Sequence, residues 1–381
     1  MTTKFSVQVA QHLIQENLGK GKNTVCSPAS IDAILSTVAF GAVNETQEQL
    51  LTLLDQRDIP ELKAASSKLV NVFKAPETSY ANALWLDQSY SLNDEFEIVL
   101  REIHNAHVKV VDFVNQADQV VNEANELAKE ATNGLIKQIL RRDNIKGDTV
   151  LLLANALYFK GAWQKPFLSK NTITRSFNRL DGVKVRVPFM RQACKYYDYG
   201  TYNDCQVIRM PYKCASEIIF SMYVFLPFEK DGLPNVMENI KIIDQNMFQD
   251  EIKLEYVMVD KLSIPKFKFE SDIDLKNTMK QFGMTLPFEE NCMDFSGIAD
   301  STTKPLFVSD IFQKSCVELN EKGTTAATVS RGIVATCGRR TGPPPPEIKF
   351  VADHPFMFVI KENVSGAILF VGTMLDPKQK L

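Results

Sequence analysis

Apolar and polar positions recur with recognisable periods along this chain. The most regular of them begins at residue 324, where the period is two. Thr324, Ala326, Thr328, Ser330, Gly332, Val334 and Thr336 form one face, all short and uncharged, while Val329, Arg331 and Ile333 fall on the other. Close-packed interiors reject added volume, so a strand whose inward set is uniformly small suits a slot between two existing strands. The pattern stops at residues 338–346, GRRTGPPPP. Gly338 and Gly342 leave Arg339 and Arg340 on flexible chain, and the prolines, lacking N–H donors, hold a stiff extended stem. A dibasic loop taken alone is an ordinary surface loop; behind a strand-like run it reads as an exposed cleavage site.

Elsewhere the periods are helical or short and strand-like. Phe5, Val9, Leu13 and Ile14 predict an amphipathic helix at the N-terminus, and similar spacing predicts helices around 29–40 and 118–131. Strands are predicted at 220–227, 261–270 and in two runs between 356 and 372. The mixture implies an α+β architecture with large antiparallel or mixed sheets. With 381 residues, 45% of them hydrophobic, and no linker-like shift or internal repeat, one domain spanning 1–381 is expected, with an exposed loop at about 321–346.

VELNEKGTTAA at 317–327, FVADHPFMFVI at 350–360 and ILFVGTMLDP at 368–377 resemble the hinge and C-terminal signature of the serpins, suicide inhibitors of proteases. NTVCSPASI at 23–31, ANALWLDQSYSL at 81–92, TNGLI at 132–136, ANALYFKGAW at 154–163, VPFM at 187–190 and SIPKFKFE at 263–270 look like serpin blocks in the family's order, so the resemblance covers the chain. FVADHPF and FSMYVFLP are most similar to the plant branch. Leu127, Asn44, Lys322 and Thr325 depart from the family's usual residues. The two hinge departures fall on outward or pre-insertion positions, where they alter the rate of insertion more than they forbid it.

The resemblance implies a serpin fold, helices packed on large β-sheets with a mobile reactive loop, and a central sheet that opens to admit one more strand. It implies a hinge at Glu321, Gly323, Thr324, Ala326, Ala327, Thr328 and Ser330. It also implies a polar gate, or shutter, at Ser27, Ser30, Asn155 and His354. Read from the residues alone, Ser27 is a helix cap before Pro28, and His354 is a satisfied buried histidine. The partner implied is a target protease held in a covalent complex, the inhibitor itself being a monomer. Counting forward from Gly323 places the reactive bond near Cys337 or Gly338, whereas counting back from FVADHPF places it near Arg339. Side-chain chemistry favours Arg339, then Arg340, which suit trypsin-like serine proteases or arginine-directed cysteine proteases.

Charge and motifs narrow the alternatives. A net charge of -3 gives no ground for expecting nucleic acid or an anionic membrane as partner. Seven scattered cysteines without a C-x-x-C pair argue against a disulfide framework and a zinc site. With no signal-peptide pattern and no long apolar run, a cytoplasmic or nucleocytoplasmic location is expected. Ser301 and Lys304 match S-x-x-K without the elements that accompany it in enzymes, and H-E-x-x-H, Walker A and G-x-S-x-G are missing. His104 and His107, three apart on a predicted helix face, lack further ligands nearby. The chain is therefore expected to be no enzyme and to need no cofactor or metal. Rival readings are a non-inhibitory serpin serving storage, transport or chaperoning, and an SH3 ligand, since residues 340–346 fit R-x-x-P-x-x-P.

Overall fold

Two β-sheets stacked through a shared apolar core position everything that follows. The computed structural model describes residues 2–213, 217–240, 243, 247–291, 293–300, 304–323 and 347–379. Among these residues the helices are α1 (Lys4–Gly19), α2 (Pro28–Gly41), α3 (Asn44–Leu53), α4 (Ile59–Phe73), α5 (Asp94–His104), α6 (Ala117–Ala131), α7 (Leu233–Asn239) and α8 (Lys276–Gln281). The larger sheet runs in the order β1 (Thr24–Cys26), β16 (Ile368–Met374), β15 (Phe356–Glu362), β9 (Phe220–Pro227), β8 (Cys205–Pro211), β7 (Lys184–Tyr202), β10 (Glu255–Pro265) and β14 (Lys349–Val351), with β6 (Ile173–Asn178) also on β7. The smaller runs β11 (Phe267–Asp274), β13 (Asp310–Leu319), β5 (Leu151–Phe159), β2 (Thr78–Asp87) and β4 (His107–Val111). A short pair, β3 (Ser91–Leu92) with β12 (Ala299–Asp300), stands apart.

The five-stranded sheet is mixed: β13 runs parallel to β5 and β2 parallel to β4, while β11–β13 and β2–β5 are antiparallel. Helices cover both faces of its centre. Leu151 and Leu153 of β5 and Ile311 of β13 pack with Ile31, Ile34 and Leu35 of α2. The alternate residues Leu152, Ala154, Ala156, Tyr158 and Phe312 pack with Val120, Val121, Ala124 and Ala128 of α6. A strand enclosed on both faces needs a continuous apolar run, not alternation, and LLLANALYF supplies one. Helix α2 is buried on nearly every side, as its lack of a polar stripe demands, whereas α6 is amphipathic and seats a row of small residues on the alanines of β2 and β5.

The predicted helices at the N-terminus, around 29–40 and around 118–131 correspond to α1, α2 and α6, and the α+β character holds. Two expectations fail. The run 261–270 is two strands: β10 ends at Pro265, whose nitrogen cannot donate to a ladder, and after Lys266 the chain crosses to the other sheet as β11. His104 and His107 do not share a helix face, because Asn105 adopts a left-handed conformation (φ 49°) that caps α5, and His107 begins β4. His104 is buried against the Phe40 ring, and burial pushes its imidazole down to about 4. Among the described residues no cluster of potential ligands could hold a metal, and no helix is long and apolar enough to cross a membrane.

Candidate functional site

The root of the segment singled out by its period-two pattern is clamped to the end of β5. Beyond β13, Asn320 and Gly323 exchange backbone hydrogen bonds (2.9 and 3.2 Å), closing a tight turn. Gly323 has φ +138°, a conformation L side chains rarely adopt, and a Cβ there would strike the Gly161 carbonyl oxygen. The stretch after β5 holds the turn from outside: the Trp163 and Phe167 amides donate to the Lys322 and Glu321 carbonyls (2.9 and 2.8 Å), and the Trp163 indole donates to the Asn320 carbonyl (3.1 Å). Trp163 is fixed in turn by stacking on Tyr212, 4.5 Å between centroids.

Glu321 is the charged element of this clamp. Its carboxylate, largely buried, receives Lys266 Nζ at 2.8 Å and the Thr172 hydroxyl at 2.8 Å. Burial pushes its acidity up, but these donors outweigh burial and hold the carboxyl below the usual carboxylate range. Lys266 comes from the joint between β10 and β11, and Thr172 precedes β6, so one side chain ties the root to both sheets.

Below the clamp lies the seam between β5 and β13. Seven residue pairs from Asp310↔Leu152 to Cys316↔Tyr158 keep it closed as a parallel ladder. On the α2 face the register aligns three amides, Gln313 beside Asn155 and Asn155 beside Asn82. Gln313 binds the chain entering α2: its carboxamide oxygen accepts from the Ser27 amide (2.9 Å) and the Cys26 thiol (3.2 Å), and its nitrogen donates to the Ser27 carbonyl (2.9 Å). Asn82 donates to the Thr37 hydroxyl of α2 at 3.2 Å. Asn155, between them, interacts with the buried Tyr80 hydroxyl, and the Ser30 and Ser315 hydroxyls are buried without hydrogen-bond partners among the described residues.

On the opposite face α6 lies across the sheet. Asn125 fixes it to the chain that follows, accepting from the Ile139 and Leu140 amides (2.7 and 3.0 Å) and donating to the Leu140 carbonyl (3.0 Å). Beyond it, Lys314 of β13 pairs with Glu270 (3.1 Å) and Arg141 with Asp272 of β11 (3.5 Å).

The sequence-predicted residues are distributed unevenly over this geometry. Glu321 and Gly323 form the clamp. Thr324, Ala326, Ala327, Thr328 and Ser330 of the expected hinge, and Cys337, Gly338, Arg339 and Arg340 of the expected reactive bond, lie outside the described residues. Ser27 and Ser30 start α2, with Ser27 Oγ accepting from the Ser30 amide at 3.1 Å and Pro28 in the first turn, and Asn155 occupies the seam. His354 is not brought to them. It sits between β14 and β15 of the other sheet, its Nδ1 2.9 Å from Asp353 and its Nε2 2.9 Å from the Pro227 carbonyl, the satisfied buried histidine of the plainer reading. The polar side chains that β13 brings to the α2 face of the seam are Gln313 and Ser315, of which Gln313 binds the chain entering α2. A signal for the amide row was present: the tetrapeptide ANAL occurs at 81–84 and 154–157, and the two copies pair antiparallel with their asparagines opposed. Trp163, Lys266 and Thr172 were missed as well; they come from segments remote in sequence.

Comparison with known proteins agrees with this geometry. The family profile described as "Serpin (serine protease inhibitor)" matches residues 1–377. Serpin-Z10 of Arabidopsis thaliana is 37% identical over 385 residues, 98% of this chain and 96% of that protein. Serpin-Z2A of Triticum aestivum is 32% identical over 390 residues, 100% and 96% of the two chains. Among solved structures, Arabidopsis AtSerpin1 in its native stressed conformation superposes with a TM-score of 0.86 at 33% identity, covering 99% of this chain and 98% of that one. Native protease nexin-1, solved with heparin, gives 0.84 at 26%, covering 99% and 98%. With the family profile, full-length plant relatives and the fold in agreement, the chain belongs to the serpins, the serine protease inhibitors.

Proposed function

We propose that the chain is a single-domain, inhibitory serpin that traps arginine-cleaving proteases by inserting its cut loop between β5 and β13. The observation that carries this reading is the closed parallel seam with the segment 324–346 rooted at its end. A chain that turns back after Gly323 runs antiparallel to β13 and, since β5 and β13 are parallel, antiparallel to β5 as well. Insertion would exchange one slanted parallel ladder for two antiparallel ones, which pair slightly better per residue. Each added ladder bond contributes roughly 0.5–1.5 kcal/mol net, so about ten give on the order of 10 kcal/mol, comparable to the stability of a whole domain.

The chemistry belongs to the target. A protease attacks the carbonyl of the bait residue and forms an acyl-enzyme with release of the downstream chain. The freed segment then enters the seam and carries the tethered protease with it, and distortion of the protease's site stops deacylation. The Ser30 and Ser315 hydroxyls, buried without partners among the described residues, support the reading, since a buried polar atom without a partner costs about 1–3 kcal/mol and leaves the uncut form room to relax. The uncut protein is then kinetically trapped.

Arg339 is the bait, with Arg340 second. Incubation with trypsin-like enzymes should give a denaturant-resistant covalent complex, and mass spectrometry of the released C-terminal fragment should find it beginning at Arg340. Arg339→Ala should reduce inhibition at least ~10-fold, because an arginine-directed pocket loses its charged, bidentate anchor. A fragment beginning at Thr341 moves the bait to Arg340, and one beginning at Gly338 moves it to Cys337. Cleavage without any covalent complex would identify a non-inhibitory relative.

A further inference from the structure

Although the net charge of the chain is -3, cations outnumber carboxylates in the clefts beside the end of β13. A cleft of about 990 Å³ opens beside the end of β13, floored by Val187, Phe267 and Leu319. Six cationic residues line it, Lys160, Arg186, Lys266, Lys268, Lys322 and Lys378, against two carboxylates, Glu318 and Glu321. Both carboxylates are already engaged, Glu321 by Lys266 at 2.8 Å and Glu318 by Lys268 at 3.0 Å. Lys160, Arg186, Lys322 and Lys378 have no ion-pair partner among the described residues. They converge from separate places in the chain: just after β5, from β7, from just after β13 and from the stretch after β16.

A second cleft, of about 390 Å³, shares Arg186 and adds Arg175, Lys184 and Lys230. Its one carboxylate, Asp353, is bound to His354 at 2.9 Å. Cations gathered in excess of their counter-ions repel one another, and a multivalent anion relieves that repulsion at several residues at once.

We propose that the cleft beside the end of β13 binds a compact anion carrying several phosphate groups. A concave cleft lined by cations from several separate segments, together with buried apolar residues, suits a small, densely charged ring or chain better than an extended polymer, which needs a linear track. Guanidinium and ammonium groups both bind phosphate oxygens, the former in a fork, so Arg186, shared by the two clefts, is the central contact.

The test uses the full-length protein and inositol hexakisphosphate as probe, followed by titration calorimetry at 0.15 M salt. Expected are saturable binding at one site per chain, a raised Tm in the presence of the probe, and at least ~10-fold weaker binding in the double variant Arg186→Ser, Lys378→Ser. Both side chains are exposed, so the substitutions should leave the fold intact, which the Tm without probe verifies. The variant Lys63→Ser, Lys68→Ser, on exposed positions of α4, should bind as the parent does. Absence of saturable heat, or equal weakening in both double variants, overturns the proposal. So does a single-stranded DNA oligonucleotide that displaces the probe with equal affinity per charge, since that would identify a generic track for polyanions.

Discussion

One carboxylate, that of Glu321, joins the root of the proposed reactive segment to Lys266 and Thr172, and the pair is shielded enough to matter. Its folded-state pKa lies below the ordinary value, so the folded protein holds this proton less tightly than the unfolded chain does. The stability it contributes is full above the ordinary carboxylate value and is lost as pH falls through that value towards the lower folded one. Glu321→Gln should therefore lower stability at pH 7 by about 1–2 kcal/mol, a charge-assisted bond reduced for the partly exposed lysine. Thermal melts from pH 7 down to pH 3 should show parent and variant converging at the acid end. A difference that does not change with pH would place the effect in packing and not in charge. Glu321 and Gly323 were singled out, as an expected hinge, from their neighbours in sequence. That Gly323 must be glycine because the Gly161 carbonyl lies against it was not, since the two residues are 162 positions apart.

At the scale of elements, the seam is governed by how β13 is tied to α2. Gln313 accepts from the Ser27 amide, which has no helical partner because Ser27 is the cap before the first turn, and donates to the Ser27 carbonyl, which also accepts from the Ile31 amide of α2 (3.1 Å). Gln313→Ala leaves the buried Ser27 amide unpaired, while the Ser27 carbonyl keeps the Ile31 amide, and should destabilise the uncut protein by about 1–3 kcal/mol in equilibrium unfolding. It should also speed formation of the covalent complex, since β13 is held less firmly against separation from β5. His354→Ala should leave that rate unchanged, because His354 braces the other sheet. A faster reaction in His354→Ala than in Gln313→Ala would reverse this assignment. The N-cap Ser27 with Pro28 and the amphipathic periods of α1 and α6 were readable because capping and helical spacing are local. The break between β10 and β11 was harder to read, since alternation continues across Pro265 while the chain changes sheets.

At the scale of the whole molecule, the proposed mechanism requires that the present arrangement not be the most stable one. Cleavage between residues 336 and 340 should raise Tm sharply, because the freed segment completes the five-stranded sheet and the separated ends no longer resist insertion. Calorimetry before and after limited proteolysis measures this directly. An unchanged or lower Tm would mean that the segment does not insert. Helix α6 must yield for the seam to widen beneath it. Its small face on Ala83, Ala154 and Ala156, with Asn125 tying it to residues 139 and 140, makes it a cover fixed chiefly along its edges.

The sequence by itself determined what depends on neighbours: the helical periods, the helix cap at Ser27, the period-two set of short side chains from Thr324 onwards, the dibasic sequence and the family to which these blocks belong. The tertiary structure decided what depends on residues brought together from afar: the parallel partnership of β5 and β13, Gln313 and not His354 at the seam, the Lys266–Glu321 pair, and the cationic cleft assembled from separate segments. Period and propensity are properties of a short stretch of chain, whereas register, shared burial and electrostatic fields arise only when the sheets have formed and stacked.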